Sequence, residues 1–203
     1  MTTIIYYPTG DGDIEETYYK KYPTTPDDYF SRVDDPSGSP DDATSYIYKS
    51  GGGTAAKYAL FTFSGISVPE GSTDIEVKVV FRHFTSGFSY VSVAEKVCGT
   101  RYYWDYTSST LNNVWEDFTD TILYPAINPH TGLVWTAAEV NGSGVYPLEQ
   151  IGVRAMTTYG VTQRFTQLYA IISYTEQVTG GVIGVGGTGG GTSFPKSFNW
   201  GAA

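Results

Sequence analysis

The 203-residue chain has one cysteine, two histidines and two methionines, which leaves little material for thiol or metal chemistry. Cys98 alone can neither close an internal disulfide nor furnish a zinc knuckle. No apolar run approaches the roughly 18 residues of a membrane-spanning helix. Met1-Thr2-Thr3-Ile4-Ile5-Tyr6-Tyr7-Pro8 has neither a basic stretch nor a long apolar one, so no secretory leader is expected. Charge is scarce, at 16% of residues, and unbalanced: 12 Lys and Arg against 21 Asp and Glu give −9. Phosphate binding needs clustered bases, so nucleic acid and anionic membranes are not expected partners. With few charges, the polar surface falls to Thr, Ser, Tyr, Asn and Gly, a composition suited to a β-protein among neighbours.

What the chain has in excess is glycine (24) and tyrosine (18), both unevenly placed. Residues 1–50 hold eight tyrosines, five prolines, ten acids and four bases, or −6 of the −9. Proline punctuation argues for extended chain there, and tyrosine argues against a disordered acidic tail. Residues 1–43 are therefore expected as an extended N-terminal arm, ordered on its own domain or on a neighbour.

Residues 44–175 read as all-β. Asp74–Phe84 is the clearest strand, with Ile75, Val77, Val79 and Phe81 on one face and Glu76, Lys78 and Arg82 on the other. Further strands are expected at Lys57–Phe63, Phe88–Val97, Asn113–Leu123, Ile151–Tyr159 and Arg164–Tyr174. The short Thr85-Ser86-Gly87 connection suggests that Asp74–Phe84 and Phe88–Val97 form a hairpin. One short helix is expected where Thr136-Ala137-Ala138-Glu139 fits a capping box and Gly142 and Gly144 follow. Strands with turns roughly every 8–12 residues predict a two-sheet antiparallel, jelly-roll-like sandwich.

Residues 176–203 form a third segment, an extended C-terminal arm. Eight of the twelve residues from Gly180 to Gly191 are glycine, and Phe194, Phe198 and Trp200 follow. A free tail has no need of those aromatics. Strand addition through Val182, Ile183 and Val185, with the aromatics as anchors, would offset the large entropy of ordering glycine. The acceptor is the domain's own edge or a neighbouring subunit.

Catalytic patterns are sparse. His83 shares the parity of Val79 and Phe81, which places it at the end of the core, and His130 lies in an Asn-Pro-His-Thr-Gly turn. No Ser-His-Asp or Cys-His set has a local signature, and the expectation is a protein that is not an enzyme. No cofactor is expected. Calcium is the one ion to weigh: Asp34, Asp35, Asp41 and Asp42 flank a Pro-Ser-Gly-Ser-Pro turn and could supply carboxylates, although solvated turn acids are the plainer reading. Asp11-Gly12-Asp13-Ile14-Glu15 fails as an EF-hand, because Glu16 stands where that loop requires glycine. Tyr102, Tyr103 and Trp104, beside Arg101, could form a glycan-stacking platform, a subunit contact or part of the core.

Two stretches carry a resemblance. Val33-Asp34-Asp35-Pro36 followed by Asp41-Asp42-Ala43-Thr44-Ser45-Tyr46-Ile47-Tyr48 resembles the acidic turn and strand of tailed-bacteriophage virion proteins. Asn128-Pro129-His130-Thr131-Gly132-Leu133-Val134-Trp135-Thr136 is similar to a structural element of the same group. The later strands Ile151–Ala155 and Thr162–Ala170 continue the likeness, which covers roughly residues 30–175. It implies a sandwich like that of carbohydrate-binding modules and a structural, non-catalytic virion role. Capsid decoration is the first expectation and a tail or fibre component the second. It implies virion proteins as partners: the major capsid protein and further copies of this chain, as a homo-oligomer or lattice-bound. A glycan-binding module is the expectation from a different class.

Overall fold

The computed structural model describes residues 1–42, 44–50, 55–104, 107–109, 113–119 and 126–177. In chain order its strands are β1 (Thr2–Tyr6), β2 (Gly10–Ile14), β3 (Tyr19–Tyr22), β4 (Tyr46–Ser50), β5 (Lys57–Thr62), β6 (Thr73–Thr85), β7 (Ser89–Val97), β8 (Thr100–Tyr103), β9 (Thr107–Ser109), β10 (Trp115–Thr119), β11 (Ile127–Asn128), β12 (Leu133–Val134), β13 (Leu148–Thr157) and β14 (Thr162–Thr175). One α-helical turn, α1 (Ala137–Val140), precedes β13, and a 3-10 turn spans Phe30–Arg32. No helix among the described residues is long and apolar enough to cross a membrane.

Two antiparallel sheets make a sandwich. The first runs β10-β6-β14-β4-β3, with β1 also on β14; the second runs β2-β5-β13-β7-β8, with β9 also on β7. The alternating apolar residues of each strand meet between them. Ile75, Val77, Val79 and Phe81 of β6 and Leu168, Ala170 and Ile172 of β14 face Phe61, Val91, Val93, Ile151 and Val153 of the second sheet. Each such side chain contributes roughly 1.5–3 kcal/mol when fully buried, so this layer dominates the stability.

β14 changes parity midway, since Gln163 and Phe165 face inward and then Leu168 does. A bulge between Phe165 and Gln167 absorbs the change, setting one extra residue opposite Arg82. The extra residue, Thr166, is fully buried, and its hydroxyl sits 2.9 Å from an Asp41 carboxylate oxygen and 2.9 Å from the Ser45 carbonyl.

Two expectations are corrected. β6 and β7 are not a hairpin: they lie in opposite sheets, and residues 86–88 cross between them. The crossing is fixed by Ser86 N–H to the Thr162 carbonyl (3.0 Å) and Thr162 N–H to the Ser86 hydroxyl (2.9 Å). A short connection specifies proximity, not pairing. β6 already has β14 and β10 as neighbours.

The boundary at residue 43 does not separate a lead-in from the sandwich either. The N-terminal segment is extended and ordered, but it supplies strands to both sheets. Along one flank of β14, Phe165 and its predecessors pair with β4, Gln167 bridges Asp34, and Ala170 to Tyr174 pair with β1. β2 meanwhile extends the second sheet beyond β5. Tyr19 and Val33 are fully buried. A strand as long as β14 needs its flank satisfied along its whole length, and the Tyr- and Pro-rich segment does so in pieces.

The helix expectation holds in detail. The Thr136 N–H donates to Glu139 Oε2 at 2.9 Å, and the Glu139 N–H donates to Thr136 Oγ1 at 3.3 Å, a reciprocal capping box. Gly142 ends the turn at φ +75°, a left-handed conformation glycine adopts freely.

Candidate functional site

The outer face of the first sheet carries a row of aromatic rings around one arginine. Strand register builds it. Lys20, Tyr48, Arg164, Phe84 and Trp115 are consecutive cross-strand partners through β3, β4, β14, β6 and β10. Tyr22 and Tyr46 form the neighbouring pair. The residues between them on each strand, such as Ile47, Phe165 and His83, face the core, so alternation turns this set outward.

The rings touch along the row. Tyr22 stacks on Tyr46 with centroids 5.2 Å apart and planes 25° apart. Trp115 lies 5.5 Å from Phe84 and 6.4 Å from Tyr46. Arg164 sits over Tyr46 and Phe84. Among the described residues no carboxylate forms an ion pair with Arg164, whereas Arg82 in the adjacent row binds Asp42 at 2.6 Å and Asp117 at 2.9 Å. These two partners raise the Arg82 pKa, the Asp42 hydrogen bond most. Tyr22 is 49% exposed, and Tyr46, Tyr48, Phe84, Trp115 and Arg164 are half-buried. Chemically the face offers π surfaces and, among them, the Arg164 guanidinium with its donors.

No protein-family model matches this chain, and no curated protein matches it.

The sequence-predicted aromatic platform is divided by strand alternation. Tyr103 lies on the outer face of the second sheet, with Arg154 3.7 Å from its ring centroid. Tyr102 turns the other way and lies 2.8 Å from His130 Nδ1, and His130 stacks on Tyr146 at 4.7 Å. Trp104 packs against the core. The three residues therefore present no common surface.

The acidic doublets each bind protein groups. Asp42 is bidentate to Arg82. Asp35 accepts the Asp41 N–H at 2.8 Å, and Asp41 accepts the Ser45 N–H at 3.2 Å. Burial, and next the charge of Asp41, push the Asp35 pKa up. Burial raises that of Asp34 as well. Among the described residues no group of three or more His, Cys, Asp or Glu side chains is placed to hold a metal ion. In the Asp11–Glu15 segment, Asp11 accepts the backbone N–H groups of Tyr29 and Phe30 at 2.9 and 2.7 Å. Burial would raise the Asp13 pKa, but hydrogen bonds from Arg101, Gln150 and Lys96 outweigh it and hold the carboxyl low.

His83 is in the core, as its parity indicates: 3% exposed and 5.5 Å from the Phe81 ring. Burial lowers its pKa to about 4. Phe194, Phe198, Trp200, Val182, Ile183 and Val185 lie outside the described residues.

Sequence reasoning missed the aromatic row. Its local trace was present in Tyr46-Ile47-Tyr48 and in Phe84 at the parity of Arg82. Which strands lie side by side is set by tertiary register, and that has no local signature.

Proposed function

We propose that this chain is a non-enzymatic structural protein of a tailed-bacteriophage particle, a capsid decoration or cement protein that docks through the outer face of its first sheet. The observation that carries the reading is the Tyr22–Tyr46–Arg164–Phe84–Trp115 row. Tyr, Trp and Arg are the residue types enriched in binding hot spots. Arg164 has no acidic partner of its own among the described residues, so it is available to a carboxylate or carbonyl on a partner. The resemblance over residues 30–175 supports the virion assignment. Its motif residues do structural work here: Asp34 bridges β14, Asp41 holds Thr166, and Thr136 caps α1. The mechanism is mechanical. Apolar area and aromatic anchors buried between subunits resist separation, and the net charge of −9 orients approach. A tail or fibre position is a variant of the same reading.

The test is composition. Tailed particles purified from a producing culture should contain the protein in stoichiometric amount by mass spectrometry, and its absence would refute the assignment. The same row favours a second reading, a glycan-binding module, because sugar rings stack on exposed aromatic faces. Retention on immobilised polysaccharide, lost in Trp115→Ala, would support that reading instead.

A further inference from the structure

A cavity of about 700 Å3 lies at the edge of the sandwich, at the opposite end of β6 from Phe84 of the aromatic row. Ile75, Val134, Trp135 and Ala137 give it an apolar lining, and Glu70, Asp74 and Glu76 make its rim acidic. Its volume falls in the range of ligand pockets, roughly 300–1,000 Å3. Both residues of β12, Leu133 and Val134, are exposed at 68% and 71%, so apolar surface at this edge is uncovered by the described residues.

The end of β14 leads to it. Thr175 pairs with Thr73, and Gln177 Oε1 comes within 3.8 Å of where a Gly71 side chain would begin. Gly71 and Thr73 both line the cavity. The chain therefore leaves the sandwich at the cavity rim, and 26 more residues follow. The first 16 of these, residues 178–193, include eight glycines and no charge. A glycine-rich tether of that length has a root-mean-square span of roughly 20–24 Å, enough to loop back to its point of departure. Beyond it lie Phe194, Phe198 and Trp200, with Lys196 as the only charged side chain of the segment.

We infer that this cavity is the docking site for the chain's own C-terminal segment, residues 194–200. The aromatic side chains enter the apolar pocket, and Lys196 faces the rim acids Glu70 and Asp74. Glu76 is already paired with Lys78 at 2.7 Å. Tethering favours this occupant over a second copy. A short glycine-rich linker presents the segment at an effective concentration on the order of millimolar, above that of any free partner in dilute solution. The inference goes beyond the virion reading and does not depend on it.

The experiment places the photoreactive p-benzoylphenylalanine at position 198 of the full chain, irradiates a dilute sample, and maps cross-links by mass spectrometry. The expected result is cross-linking within single polypeptides to residues 70–76 and 126–138. Ala138→Lys, which places a second cation at the exposed rim that receives Lys196, should lower that yield at least fivefold with the circular dichroism spectrum unchanged. Cross-links that map elsewhere, or that occur only in species of twice the chain's mass, would overturn the inference. So would a yield unaffected by Ala138→Lys.

Discussion

Arg164 lies across two rings from different strands: its guanidinium carbon is 4.8 Å from the Tyr46 ring centroid and 5.0 Å from that of Phe84. The pairing holds a long, otherwise mobile cation in one place in the middle of the first sheet. A pre-ordered arginine loses less entropy on meeting a partner than a free one.

Arg164→Ala is expected to weaken docking at least tenfold, which corresponds to about 1.4 kcal/mol. The free protein should lose only about 1 kcal/mol, the scale of a surface cation–π contact. Arg164→Lys should recover little, because an ammonium lacks the planar donor fork. Isothermal titration against purified partner, with urea unfolding as the stability control, measures both quantities.

Deleting residues 1–22 should abolish cooperative folding. The deletion removes β1, β2 and β3, and so uncovers β14 from Ala170 to Tyr174 and the outer sides of β4 and β5. Circular dichroism and thermal melting read the outcome. A truncated chain that melts in one sharp transition would show the segment to be a detachable arm after all.

Gly152 pairs with Leu60 across β13 and β5, and a side chain there would run into the Ala59 carbonyl and the Leu60 backbone. Both obstacles are main chain and cannot swing aside. Gly152→Ala is expected to cost about 1–3 kcal/mol or more in urea unfolding, the scale of core overpacking. An unchanged midpoint would contradict that close approach.

His83 gives the fold an acid-sensitive element. Its folded-state pKa of about 4 lies below the ordinary value of 6.5, so between those pH values the unfolded chain holds more protons. The neutral ring is compatible with the fold above pH 6.5, and that stability is lost progressively as pH falls through the window. The loss is about 3 kcal/mol by pH 4. Burial is the cause, and among the described residues neither ring nitrogen has a hydrogen-bond partner to favour the charged form. His83→Phe should flatten the stability profile between pH 6.5 and 4 relative to wild type. Parallel profiles would rule out His83 as the source.

Local patterns carried far in this chain. Alternation in Asp74–Phe84 marks β6 because one face of each sheet is buried. Thr136 and Glu139 announce α1 because a capping box is made by residues three apart. Relations between distant segments were not legible. The Thr85–Gly87 connection looks the same whether its strands pair or cross between sheets. The tyrosines of residues 1–50 serve two ends: Tyr19 and Tyr29 are buried, whereas Tyr22, Tyr46 and Tyr48 join the outer row. Tyr29 precedes the 3-10 turn, and for Tyr19, Tyr22, Tyr46 and Tyr48 the pairing of β3 and β4 within the first sheet separates those roles. Tyr102 and Tyr103 are adjacent in sequence and diverge in space for the same reason that makes strands recognisable.

The most direct test of the proposed docking is add-back to particles. Tailed particles assembled without this protein are mixed with purified wild type or with the double variant Arg164→Ala, Trp115→Ala, and bound copies are counted after sedimentation. The account predicts that wild type binds saturably and that the folded double variant leaves most sites empty. Wild type that stays in the supernatant, or a double variant that fills the particles equally well, would contradict it.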